Sequence, residues 1–144
     1  MIKKKITKIL VPLDGSKNSL RGIDMAISIA RQFGATITGM YSFNEQPHTE
    51  FQGIGSITKS HNIEVKKFLN AAKLLSAQNG IVFKEKVMRG DIGYNIVKLA
   101  QSKKEKFSLI VIGSRGRGSV KETFFGSVSN YVIHASKIPV LIVK

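Results

Sequence analysis

The chain has 144 residues, 42% of them hydrophobic, with 23 Lys and Arg against nine Asp and Glu and no cysteine. That length suits one domain over residues 1–144, and the apolar content is enough for a packed core, which excludes an intrinsically disordered chain. Without cysteine there are no disulfides and no thiolate zinc sites, and the composition is compatible with an intracellular home. The net charge of +14 implies affinity for polyanions: nucleic acid (RNA or DNA), acidic lipid or nucleotide phosphates. The lysines run from Lys3 to Lys144 and cluster only at 3–5 and 103–106, and no nucleic-acid recognition motif accompanies them. A generally basic proteome or a solubility device is the plainer alternative.

The amino-terminal stretch MIKKKITKILVPLDG is basic, then apolar. Its apolar run, Ile9 to Leu13, is too short for a signal-peptide core and contains Pro12. No segment approaches the ~20 apolar residues of a membrane span, so the expectation is a soluble cytoplasmic protein with no membrane partner.

Residues 6–11 read as a first strand, short and rich in β-branched side chains. Ser16 is placed to cap a helix with apolar positions at Leu20, Ile23, Ile27 and Ala30, and Gly34 is a natural stop. Residues 36–41 read as a second strand. The stretch 43–55, FNEQPHTEFQGIG, has neither period and is either a binding loop that closes over a ligand or a surface insertion. A second helix carries Val65, Phe68, Leu69, Ala72 and Leu75, with Gly80 after it, and residues 82–87 form a third strand. Asp91 can cap a third helix with Ile92, Ile96, Leu99 and Ala100. Strand four covers 109–112, a fourth helix carries Val128, Tyr131, Val132 and Ala135, and residues 139–143 form a last strand. The order β-α-β-α-β-α-β-α-β, in strands without clean alternation, predicts a three-layer α/β/α fold on a mainly parallel sheet.

In such a sheet ligands bind beyond the carboxyl ends of the strands, where the strand order reverses. Two segments should meet there, Val11 to Ser16 after strand one and Gly113 to Ser127 after strand four. Gly113 and Gly116 allow the backbone to bend toward an anion, and Gly126-Ser127 opens a helix whose first N–H groups are unpaired. Ser127 and Ser129 add hydroxyls, and Arg115, Arg117 and Lys121 add charge. The segment is either a nest for a di- or triphosphate or a glycine-rich loop that merely turns. Asp14 either faces ribose hydroxyls or a metal ion near the phosphates, or is a turn residue before the cap. There is no GxxxxGK[ST], no GxGxxG after strand one, no HExxH and no GxSxG. His48, His61 and His134 share no ligand spacing, the acids are not paired for acid–base work, and no catalytic residue or resident metal site is assigned.

At these positions the chain resembles the universal stress proteins. The spacing Gly113-x2-Gly116-x9-Gly126-Ser127 matches the G-x2-G-x9-G-[ST] motif of the family's ATP-binding members. The opening ILVPLDGS, 9–16, and the closing SKIPVLIVK, 136–144, resemble its first strand and turn and its last strand. The resemblance covers essentially the whole chain. It implies a Rossmann-like, adenine nucleotide alpha hydrolase-like fold with five parallel strands in the order 3-2-1-4-5. It further implies ATP, accompanied by Mg2+, over the edge between strands one and four. Pro12 and Asp14 would border the adenosine, and Ser42 falls where the family often has a valine against adenine. Ile112, Gly113, Arg115 and Gly116 would line the ribose and phosphate side, and Gly126, Ser127, Val128 and Ser129 would hold the phosphates. A homodimer through the last strand is also implied, and an unpaired apolar edge from Ile138 to Val143 independently favours such pairing. The implied role is a nucleotide-dependent sensor or adaptor in the stress response, with at most slow ATP hydrolysis, the alternative being a stress protein that binds RNA or DNA through its basic surface.

Overall fold

Five short apolar runs separated by amphipathic segments can bury both faces only as strands between two helical layers, and the chain adopts that arrangement. The computed structural model describes residues 5–44, 54–115 and 125–144, with only the backbone described at 54–60. Its elements are β1 (Lys8–Pro12), α1 (Lys17–Phe33), β2 (Thr36–Phe43), α2 (Ile54–Gln78), β3 (Phe83–Arg89), α3 (Ile92–Ala100), β4 (Leu109–Gly113), α4 (Ser127–Ala135) and β5 (Val140–Val143). All strand pairings are parallel, in the order β3-β2-β1-β4-β5. The chain therefore winds outward from β1 through β2 to β3, returns through α3, and continues outward through β4 to β5.

Side-chain alternation along the strands feeds two cores. Ile9, Val11, Ile37, Tyr41, Leu109 and Val111 pack with Ile23, Ala26, Ile27 and Ala30 of α1 and Val65, Leu69 and Ala72 of α2. On the other face Leu10, Met40, Ile110 and Ile112 pack with Ile96, Val97, Leu99 and Ala100 of α3 and Val132 of α4. Because both faces are covered, the central strands β1 and β4 read as continuous apolar runs rather than alternating ones.

The helix ends follow the side chains at their borders. Ser16 Oγ accepts from the Ser19 N–H at α1, and Asp91 Oδ1 accepts from the Tyr94 N–H at α3. Gly34 ends α1 in the left-handed region, at φ 66°, where its N–H reaches the Ala30 carbonyl. Strand boundaries shift by up to two residues from the sequence reading, and α2 begins at Ile54, inside the stretch read as loop. Residues 45–53, including His48, lie outside the described residues, and with them the reading of 43–55 as a lid. Two positions read as apolar-face residues stand at the surface: Leu20 is 42% exposed and Tyr131 43%. Ser19 and Gly22 take the inner face of α1 beside Ile23, where α1 lies against β4. Tyr131 lies over Gly93 of α3, near enough that a Cβ at Gly93 would come within 2.7 Å of the ring. Among the described residues no helix is long and apolar enough to cross a membrane.

Candidate functional site at the β1–β4 crevice

β1 and β4 are adjacent only through Ile9↔Leu109 and Leu10↔Ile110. Beyond Leu10 they diverge. β1 keeps its bond to β2, since the Leu13 N–H donates to the Met40 carbonyl at 2.7 Å. In a parallel strand successive residues address alternate neighbours. Pro12, which has no N–H, therefore falls on the β4 side, where pairing has already ended. A proline is tolerated there in a central strand, and a crevice opens between the ends of β1 and β4 where the strand order reverses.

Asp14 sits at the mouth of this crevice. Its Oδ1 accepts from the Ser16 N–H at 2.8 Å, across Gly15 at φ 80°. The turn role left open by the sequence is thus realised, and it fixes the carboxylate at the start of α1. The opposite wall is the end of β4. Ile112 is buried in the α3/α4 core, so only its backbone faces the crevice. Gly113 approaches α1 closely: a Cβ there would lie 2.9 Å from the carbonyl carbon, oxygen and Cβ of Asn18. This glycine is required by the packing of α1 on β4, whatever binds nearby. Arg115 follows, half-buried. Gly116, Arg117 and Lys121 lie outside the described residues.

Ser114 ties the site together. Its N–H donates to the Val143 carbonyl of β5, and its carbonyl accepts from the Gly126 N–H, both at 2.8 Å. The Ser129 hydroxyl also donates to the Ser114 carbonyl, at 2.9 Å, and lies 3.0 Å from the Gly126 carbonyl. These bonds dock the start of α4 against the end of β4. They also correct the expectation for Ser129: its buried hydroxyl hydrogen is directed at backbone carbonyls, leaving its N–H as the group it offers. Val128 likewise packs into the α3/α4 core, so its side chain does not line the crevice. α1 and α3 have side-chain caps, but α4 begins at Gly126, which supplies none. The Ser127, Val128 and Ser129 N–H groups form its first turn, with the Ser127 side chain exposed. A helix start carries a partial positive charge suited to an anion.

Ser42, near the end of β2, is buried and accepts a 2.9 Å hydrogen bond from Asn95 Nδ2. The same amide donates to the Arg89 carbonyl at 2.7 Å. The hydroxyl that departs from the usual apolar contact is thus engaged by α3. Asn95 and Ser114 were not singled out from sequence. A buried-face asparagine in the otherwise apolar α3 was a readable signal; nothing local marked Ser114, whose role depends on three separate elements.

The universal stress protein family model matches residues 5–144. The universal stress protein YxiE of Bacillus subtilis is 34% identical, over 95% of this chain and 98% of its own. UspA of Lactobacillus plantarum superposes with a TM-score of 0.81 at 21% identity, covering 99% of this chain and all of that one. The universal stress protein of Archaeoglobus fulgidus solved in complex with dAMP superposes with a TM-score of 0.70 at 24% identity, over 97% of this chain and 99% of its own. With the family model spanning nearly the whole sequence and a relative above 30% identity over almost its full length, the chain belongs to the universal stress protein family.

Proposed function

We propose that this universal stress protein is a single domain that binds ATP in the β1–β4 crevice and serves as a nucleotide-dependent sensor or adaptor. The observation that carries the reading is the α4 start. A helix without a side-chain cap is docked by Ser114 and Ser129 so that the Ser127, Val128 and Ser129 N–H groups lie beyond the diverging strands. These amides would hold the phosphates, with Gly113, Arg115 and Gly116 beside them. Pro12 and Asp14 would border the adenosine, with the Ser42 backbone toward the base. The donor set, backbone amides with an arginine nearby, fits a polyphosphate, and Mg2+ would travel with it. The dAMP bound by the Archaeoglobus relative supports an adenine nucleotide as the ligand class. No general base has been assigned, so turnover would be slow at most.

The same reading includes a homodimer through β5. The β3 edge carries Lys84, Glu85 and Lys86, charges that discourage further strand pairing, while β5 offers only Val140, Leu141, Ile142 and Val143, all partly exposed.

The test is calorimetric unfolding with and without ATP, for wild type and Gly126→Val. Gly126 has φ −69° and ψ 164°, which other residues adopt, so the variant tests the approach of a ligand rather than the backbone. Ligand at 100 times Kd stabilises by about 2.7 kcal/mol. The expected result is a Tm that rises with ATP in wild type and does not in the variant. A wild-type Tm unmoved by millimolar ATP would overturn the reading.

A further inference from the structure

Positive charge is exposed on both helical layers, and on the α3/α4 side it gathers at one strand edge and a single turn. α3 and α4 contain no acidic residue. Register places Lys84 and Lys86 of β3 opposite Thr38 and Met40, hence on the α3/α4 face, while Glu85 points to the other. Lys98 of α3 and Lys103, Lys104 and Lys106 of the following turn are exposed on the same side. Glu105, within that turn, is engaged by the Lys8 ammonium, so the acid is neutralised from inside the protein. Lys86 and Lys104 both lie near enough to act on the Glu105 carboxyl, which places strand and turn on one surface. Tyr94, 54% exposed, extends this surface along α3, with the Lys98 ammonium 5.9 Å from its ring centre. Asp91, in the turn that Tyr94 occupies, caps the helix by accepting from the Tyr94 N–H.

We propose that the surface formed by Lys84, Lys86, Lys98, Lys103, Lys104 and Lys106 with Tyr94 is a docking site for the phosphate backbone of single-stranded RNA. A row of ammonium groups tracks phosphates, and an exposed aromatic ring offers a stacking platform for a base. A bilayer is the less suited partner. Insertion needs a contiguous apolar stripe beside the cations, and on this side the exposed large apolar groups, Val82, Tyr94, Tyr131 and Ile133, are divided among the residue before β3, α3 and α4, with Val87 on the opposite face of β3. The surface runs from the turn after α3, at the amino-terminal ends of the strands, along α3 to Tyr94 in its first turn, and shares no residue with the β1–β4 crevice.

The probe is a fluorescein-labelled 20-residue oligouridylate, titrated by anisotropy at several salt concentrations. One variant carries Lys84→Gln, Lys86→Gln, Lys98→Gln, Lys103→Gln and Lys104→Gln. A control of equal charge carries Lys17→Gln, Arg21→Gln, Lys66→Gln, Lys67→Gln and Lys73→Gln, all exposed on the α1/α2 layer. With Tm values matching wild type, the first is expected to lose at least about tenfold in affinity and to flatten the log–log salt slope by about 3–4. The control and Gly126→Val are expected to stay within about threefold. Equal losses in the two charge variants would overturn the proposal in favour of diffuse attraction. So would a wild-type protein that ignores the oligonucleotide, or one that binds only phosphatidylserine vesicles.

Discussion

Gly113→Ala and Gly22→Ala probe one contact from its two sides and should differ in sign. At Gly113 a new Cβ would come within 2.9 Å of Asn18, and two of the three nearest atoms belong to its backbone. Backbone in the first turn of α1 is held by the Ser16 cap and cannot swing aside as a side-chain tip can. Overpacking of this kind costs about 1–3 kcal/mol, which in a chain of this size lowers Tm by about 3–9 °C. At Gly22 the nearest foreign atom, the Gly113 amide nitrogen, would be 3.7 Å from the new Cβ, an ordinary contact. Alanine there gains about 1 kcal/mol of helix propensity. Urea unfolding at one protein concentration is the assay, with shifts in midpoint at constant m. If Gly113→Ala stays within about 0.5 kcal/mol of wild type and affects only ATP binding, the packing argument fails and the glycine serves the ligand alone.

Two further outcomes follow from side-chain chemistry. Asn95→Ala removes the donor from both the buried Ser42 hydroxyl and the Arg89 carbonyl and should cost about 2 kcal/mol. Ser42→Ala should cost less, because Asn95 keeps its bond to Arg89; equal losses by thermal unfolding would contradict this ranking. The hydrogen bond from Lys8 and its charge, aided by Lys86 and Lys104, hold the Glu105 carboxyl below its ordinary value of 4.5. A depressed carboxylate stabilises the fold above that value, and the contribution is lost as pH falls through the lower folded-state value. Wild type should therefore exceed Glu105→Gln in urea midpoint at pH 7, and the difference should close toward pH 3; a difference of the same size at both pH values would show that the ion pair is not its source.

Local features decided much of this protein. Ser16, Gly34 and Asp91 act within one turn of chain, so their roles as caps and stop were readable and are realised. The alternation of strands and helices was readable because period and apolar content are properties of short windows. The glycine and serine spacing after β4 pointed to the family without any coordinates. What only the tertiary structure decided is what depends on contacts between distant segments. Gly113 is small because Asn18, 95 residues earlier, lies against it. Ser129 points its hydroxyl at Ser114 and Gly126 because α4 docks on β4 there. Ser42 is polar because Asn95 arrives from α3. Tyr131 is half-exposed because its ring lies over Gly93, not within the core. Likewise Lys84, Lys86 and Lys104, apart in sequence, became neighbours on one surface only when β3 register and the turn after α3 brought them together. One-dimensional spacing fixes local hydrogen bonds and amphipathic faces, but each of these contacts needs two elements in register, and that is set by the packing of the whole sheet.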